Sequence, residues 1–539
     1  MIFLRKRVKK EKAFGGFYIR ALVCYFLVLC LLLSCILRVA VIKTMGYDEV
    51  CTEQIELKIK VARVRGTIYD CNMVPLTNNR KSYMAAVAPT PGAVTALSGQ
   101  LSDEDTDKLL GTLKSGKPGI CEVQNEISGD GIASVEIYKT QGGEDACHII
   151  GYLDSTGHGT SGLQAAYDGL LFGDEYITAV ISTDGKGNML YGSQPRFENK
   201  SSAGSNAVVS TIDINIQTRV AKAAGLIQKG AVVVAEAKTG EIKALVSLPQ
   251  FDTNNITAAL ADENSPLLNR ALLAYSVGSV FKPCVAAAGI ENGMGSLIFN
   301  CTGSTYIIDR YFKCHKLDGH GTVDLRQALA YSCNCYFYNY ADKIGGDALY
   351  KTARNMMFGV GIKIADGMRC AKGTLPETDS LKNPANLANF SIGQGAFSAS
   401  PVAMLPLYMA IANGGRYYLP SIVKKTVTGG EVTEYDKGSP TVCMSESTAE
   451  TLKNYLKDVI TEGTAVTAAP KTVTAAGKTA TAQTGRKDAD GRKINNSWFC
   501  GFFPADDPEY VAVILSEGGT GAQTTAIFAE IADKISELE

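Results

Sequence analysis

This chain has almost no excess of charge of either sign. Its 53 Lys and Arg face 54 Asp and Glu, a formal net charge of −1 over 539 residues. Beyond the N-terminus there is no basic arm with interleaved aromatics, so the electrostatic footprint of a nucleic-acid binder is missing. Tryptophan occurs once, at Trp498. Residues 44–200 hold no nucleophile–base pair and no phosphate loop, so this stretch reads as a non-catalytic spacer or docking module. The 15 cysteines lack the regular spacing of a disulfide scaffold. The length leaves room for two or three domains.

What is present begins with a basic, then apolar, N-terminus. Residues 1–20 carry Arg5, Lys6, Arg7, Lys9, Lys10, Lys12 and Arg20 against Glu11 alone. Residues 21–37 are uncharged, and 39–42 extend the apolar run past Arg38. That approaches the ~20 residues needed to cross a bilayer. A cleaved signal peptide has an apolar region of only about 7–15 residues. The expected organisation is therefore a cytoplasmic basic tail over 1–16 and an uncleaved transmembrane signal-anchor helix over 17–42, with the rest of the chain outside the cytoplasmic membrane. A separate domain is expected over 44–200. The polar stretch KSSAGSNA (200–207) reads as a linker, and a second domain as running over 205–539.

The second domain opens with strand patterns at 208–212 and 230–249, the latter folding about Lys238-Thr239-Gly240. It closes with strand patterns at 471–484, 496–503 and 509–516 and an amphipathic helix at 524–539. Helical patterns fill the middle. The fold expected is α/β (α+β): one mixed sheet, its first and last strands adjacent, flanked by helices and joined by a helical lobe.

Within that lobe lies SVGSVFKP (276–283). Ser279 and Lys282 are three apart, so on a helix a hydroxyl and an amine share a face. A serine at a helix start also meets outward-pointing N–H groups, which suits a nucleophile that forms an oxyanion. About two such S-x-x-K pairs are expected by chance at average usage. The second, Ser421 and Lys424, lies in a stretch of strand composition, where the two do not share a face. Two further pieces sit downstream. Ser332 and Asn334 are one residue apart, and in a turn both can face one cleft while Cys333 faces away. Lys478, Thr479, Ala480 and Thr481 lie in TAAGKTATAQTG; on an edge strand they can bind a carboxylate and align an acyl chain by backbone pairing. A second ammonium at Lys478 also favours a neutral Lys282.

In this order the three pieces resemble the serine D,D-transpeptidases of the penicillin-binding protein family, whose signature is S-x-x-K, S-x-N and K-T-G. The likeness extends to LLNRALLAYSVGSVFKP, to SIGQGAFSASP (391–401) with IANGG, and to NSWFCGFFP around Trp498. RVRGTIYD (63–70) and GTSGLQAAYDGLL (159–171) resemble the pedestal, or dimerisation, domain of the anchored class B members, and no segment before residue 200 looks like the glycosyltransferase domain of class A.

The resemblance implies a penicillin-recognising fold and a set of roles. Ser279 attacks the penultimate D-Ala of a peptidoglycan stem peptide, Lys282 takes its proton, Ser332 relays a proton to the leaving D-Ala, and Asn334 holds the substrate amide. Lys478, Thr479 and Thr481 bind the terminal carboxylate, with Ala480 beside them, and the N–H groups of Ser279 and Thr481 form the oxyanion hole. β-Lactams mimic the donor and stay attached. The partners implied are stem peptides, β-lactams, the membrane, and a SEDS-type glycosyltransferase with other cell-wall synthesis proteins.

Three departures stand out: Ala480 in place of Gly, whose methyl is expected to narrow the cleft; Val277 where relatives often have Pro; and Gln164 where the pedestal often has Glu. The literal K-T-G at 238–240 reads as a hairpin turn.

No cofactor is expected for catalysis. Three of the cysteines, Cys24, Cys30 and Cys35, lie in the apolar segment. Cys301, Cys314, His320 and Cys333, with His315 as a spare, match a structural zinc site in ligand type. The resemblance implies a metal in this region in some elongation-type members. A Cys301–Cys314 disulfide and free thiols are the other two readings; Cys284 and Cys335 read as core packing.

Two other functions fit the same motifs. A β-lactamase or β-lactam sensor needs, respectively, an extra base, for which no E-x-x-x-N segment appears, or a sizeable intracellular region. A catalytically silent scaffold of the cell-wall machinery is the third; the intact Ser279, Lys282, Ser332, Asn334 and Lys478 argue against it.

Overall fold

A computed structural model of the chain describes residues 2–45, 56–97, 99–140, 144–184, 190, 193–199, 203–487 and 490–538. Helix α1 (Ile2–Thr44) contains the apolar stretch Gly16–Thr44, which is long and apolar enough to cross a membrane. None of the 18-residue window that meets this test is buried against protein, unlike a core helix. The apolar segment therefore matches a membrane anchor.

The chain divides into two compact units that are not consecutive in sequence. The smaller comprises residues 1–63, 82–137 and 176–202. It carries a four-stranded sheet in the order Gly119–Val123, Arg80–Val87, Ile132–Lys139, Ser128–Gly129. Ala85, Val87, Leu109, Leu113, Val123 and Ile132 fill a small core beneath it.

The larger unit comprises 64–81, 138–175 and 203–539. The stretch expected to form one domain over 44–200 thus gives two of its segments, 64–81 and 138–175, to the unit that holds the catalytic motifs. Part of the reason is strand pairing. Strand β1 (Glu56–Tyr69) pairs in parallel with β2 (Ala203–Ser210), with Ile68 opposite Val208. Residues 203–207, read as a linker, are therefore strand; 200–202 lie outside the described residues. Pairing of β2 with β1 at Ala203 and again from Ala207 onward carries Gly204, Ser205 and Asn206 through a bulge despite their low strand propensity.

After β2 come helix α2 (Ile214–Ala224), strand β3 (Gly230–Glu236) and strand β4 (Ile242–Leu248). Asp213 caps α2 through the N–H groups of Asn215 and Ile216. The lobe then supplies α3 (Lys282–Glu291), α4 (Asn334–Ile344) and α5 (Pro401–Ala412). All twelve residues of α5 are buried. Strand β5 (Val423–Thr428) lies beside β2, so the segment holding Ser421 and Lys424 is extended. Strands β6 (Ala476–Lys487), β7 (Lys493–Phe503) and β8 (Tyr510–Glu517) and helix α6 (Gly521–Ser536) close the chain.

The catalytic unit's main sheet runs β4-β3-β8-β7-β6. Its first strand along the chain, β3, pairs with the last, β8, as the sequence predicts. Every pairing in it is antiparallel, so this sheet is not itself mixed; the parallel pairing belongs to the β1–β2 sheet. The reason is connectivity: β3–β4, β6–β7 and β7–β8 are joined directly, and direct joins reverse the chain. Consecutive residues 232–235 and 511–515 are all buried, so both faces of β3 and β8 are covered. Strand β6 is one of its two edge strands, β4 the other.

Candidate active site

The nucleophile motif lies where a short 3-10 turn, Gly278–Phe281, runs into α3. In such a turn, residues three apart lie one above the other, which puts Ser279 and Lys282 on one side. Several contacts hold the turn. Gly278 N–H donates to Gly393 O at 2.8 Å. Gly393 has φ +71°, and a Cβ there would lie 2.1 Å from Gly278 O, so the G-Q-G segment needs glycine to reach the turn. Tyr408 Oη donates to Val280 O and Trp498 Nε1 to Ser276 O, both at 2.9 Å.

Lys282 is fully buried. Its Nζ donates to Ser332 O at 2.7 Å and to Asn334 Oδ1 at 2.7 Å, and lies 3.2 Å from Ser332 Oγ. The first and second motifs are thus joined directly. Ser332 has φ +56°, a left-handed conformation that costs a non-glycine residue ~1–3 kcal/mol. Cys333, which follows it, is wholly buried, and Asn334 begins α4.

Burial lowers the pKa of Lys282 to about 7, with Cys333, Cys314 and Cys335 opposing the shift. Burial also lowers Lys478 well below the usual range, and there the charge of Lys282 adds to it. Burial, not the second ammonium, therefore carries the shift of Lys282. Lys478 Nζ donates to Thr479 O at 3.2 Å. Along β6, residues 478, 480 and 482 are buried, Thr479 is half-buried and Thr481 is exposed. This alternation turns the two threonines outward.

Ser279, Ser332, Asn334, Thr479, Ala480 and Thr481 line one cleft of about 430 Å³. Its other walls are His315, Thr464, Thr467, Gly521, Ala522 and Thr525. The sequence reading missed these, apart from His315, which it took for a spare ligand. Threonines in loops carry no local signal; only packing brings Thr464 Oγ1 within 3.0 Å of Thr479 Oγ1. Among the described residues, no carboxylate lines the cleft.

Behind Ser332 sits the cysteine cluster. One ligand atom from each of Cys301, Cys314, His320 and Cys333 lies within 4.8 Å of the other three. His320 Nδ1 is 3.7 Å from Cys301 Sγ and 3.6 Å from Cys314 Sγ, and the Cys314 and Cys333 sulfurs are 4.0 Å apart. Around a tetrahedral zinc, bond lengths of about 2.3 and 2.05 Å imply S···S near 3.8 Å and S···N near 3.6 Å. The donor set and spacing therefore fit zinc. Cys301 and Cys314 are free thiols, not a disulfide. Hydrogen bonding with Cys333 and Cys335 drives Cys314 below the usual thiol range and those two above it. Cys335 therefore borders the cluster as well as filling core.

The fold and this site define a serine-type acyltransferase. Residues 230–537 match the penicillin binding protein transpeptidase domain, so the chain belongs to that family. Its relatives place it among the class B proteins. It is 25% identical to the peptidoglycan D,D-transpeptidase MrdA of Acinetobacter baumannii, covering 94% of this chain and 85% of the relative. It is 29% identical to the penicillin-binding protein PbpB of Mycolicibacterium smegmatis, covering 84% and 72%. Among solved structures it is similar to the D,D-transpeptidase domain of a peptidoglycan glycosyltransferase from Eggerthella lenta, with TM-score 0.65, 23% identity and coverage of 88% and 99%. Penicillin-binding protein 3 of Mycobacterium tuberculosis complexed with aztreonam gives TM-score 0.64, 23% identity and coverage of 89% and 97%.

Proposed function

We propose that the chain is a membrane-anchored peptidoglycan D,D-transpeptidase that works through an acyl-enzyme on Ser279. The observation that carries this is Lys282: a fully buried amine, held by Ser332 and Asn334, one helical turn from the serine. As a neutral amine it donates two N–H bonds and keeps a lone pair for the Ser279 proton.

Ser279 Oγ attacks the carbonyl carbon of the penultimate D-Ala, and its proton passes to Lys282. The oxyanion is met by the N–H groups of Ser279 and Thr481. Collapse breaks the amide, and the leaving D-Ala takes up a proton through Ser332. Asn334 holds the substrate amide, while Lys478, Thr479 and Thr481 hold the terminal carboxylate. The donor pairs its backbone with the free edge of β6. An amine from a second stem then attacks the ester, forms the cross-link and restores Ser279. A β-lactam opens on the same serine, and its ester persists because the ring fragment does not leave.

Cys301, Cys314, His320 and Cys333 would hold a structural zinc, which would cross-link the segments that carry them. Cys333 lies between Ser332 and Asn334, so the cross-link would set the backbone that presents both. The N-terminal flank lies in the cytoplasm and the catalytic unit outside. A SEDS-type glycosyltransferase and other cell-wall synthesis proteins are its partners.

The test is release of D-Ala from a peptide ending in D-Ala-D-Ala by purified full-length protein, with and without an acceptor amine. Release with transfer to the acceptor supports the reading. Hydrolysis of penicillin with rapid turnover points to a β-lactamase, and no reaction with either substrate points to a scaffold.

A further inference from the structure

The nucleophile turn rests on the strand that carries the third motif. Gly278 has φ +72°, and a Cβ built on it would lie 3.2 Å from the Cβ of Ala480 and 3.3 Å from that of Ala482. Ala480 is 5% exposed and Ala482 fully buried. Their methyls therefore face the turn and not the opening between Thr479 and Thr481. Ala480 is also paired in register with Trp498, whose indole holds Ser276 O. The turn is thus gripped from its start by Trp498, at Gly278 N–H by Gly393, at Val280 by Tyr408, and under Gly278 by these two methyls.

We infer that Ala480 is a positioning residue. Its methyl closes the space beneath Gly278 and fixes the backbone of Ser279, where both the attacking oxygen and one oxyanion donor originate. Ala480 lines the cleft, but at 5% exposure and packed toward Gly278 little of its methyl reaches the opening, so the expected narrowing is small. This inference rests on the Ser279 reading above.

The two accounts differ in sign. If the methyl seats the turn, Ala480→Gly leaves a void below Gly278 and loosens β6. A displacement of about 1 Å at a reacting group costs about 100-fold in rate, and smaller ones cost less. If the methyl obstructs the cleft, the same change speeds acylation and tightens binding.

The measurement is stopped-flow acylation of the full-length protein in detergent by a fluorescent penicillin. It separates the acylation rate constant from the dissociation constant of the non-covalent encounter complex. For Ala480→Gly the expected result is a fall of about 3–30-fold in the rate constant, with the encounter constant within about twofold of wild type. Ala482→Gly, outside the motif, moves the rate in the same direction by less. Ala480→Ser keeps a Cβ against Gly278 and retains the wild-type rate within about twofold. An acylated wild type with an equal or faster Ala480→Gly variant, or a loss confined to the encounter constant, overturns the inference alone. A folded wild type that is not acylated overturns the Ser279 reading and this inference with it.

Discussion

Lys238-Thr239-Gly240 and Lys478-Thr479-Ala480, like the two Ser-x-x-Lys pairs, share a pattern but not an environment. Lys238-Thr239-Gly240 forms the turn between β3 and β4, with Gly240 at φ +75°. Lys238 is 54% exposed and pairs with Asp507 at 2.8 Å, which raises its pKa. Lys478 is fully buried, and its pKa falls. The glycine of the first stretch serves a left-handed turn; the strand at Ala480 requires none. Ser421 and Lys424 flank the start of an extended strand, and Ser421 is buried there. Ser279 opens on a cleft shared with Ser332 and Asn334. We assign the chemistry to the copy of each motif whose amine has lost its water and whose hydroxyl has kept its access.

The largest test of that contrast is at the base. Lys282→Ala should slow penicillin acylation by about 10²–10⁴-fold, whereas Lys424→Ala leaves it unchanged, as read by fluorescent labelling over time. Next comes the carboxylate end. Lys478→Ala should raise KM for a D-Ala-D-Ala peptide and cut acylation by about 100-fold, since it removes a cation from the binding edge. Its counterpart Lys238→Ala removes one exposed ion pair and should change stability by less than about 1 kcal/mol with no change in rate.

The pH profile sharpens the same comparison. Lys282 is the base only when neutral, so acylation should rise with pH, level off above about 7, and fall tenfold per unit well below that value. Lys238, whose pKa is raised, should leave no trace in this range. The smallest effect expected on the initial rate is that of the metal cage. Metal analysis should find one zinc per chain, and Cys314→Ser should lower zinc content and melting temperature while leaving Ser279 reactive.

Much of this site is legible in sequence because its three motifs are local. Ser279 with Lys282 needs one helical turn, Ser332 with Asn334 one bend, and Lys478 to Thr481 one strand. The cysteine–histidine set is legible too, since ligand chemistry is independent of order along the chain. Contacts made across the fold leave no such trace. His315, Thr464, Thr467 and Thr525 reach the cleft only through packing. Likewise 64–81 and 138–175 meet each other only through tertiary contact: Arg65 pairs with Asp168 at 2.9 Å and bonds Gln164 Oε1 at 2.7 and 2.9 Å. In that network Gln164 accepts from Arg65 while Asp168 supplies the counter-charge. Polar residues 203–207 became strand because of neighbours distant in sequence.

The most direct measurement is the site of the covalent adduct. Full-length wild type and Ser279→Ala are incubated with a penicillin, digested, and the modified peptide is sequenced by mass spectrometry. The prediction is one adduct, on Ser279, and none on the variant. An adduct on Ser421, labelling that survives Ser279→Ala, or no adduct on folded wild type would contradict the assignment of the nucleophile.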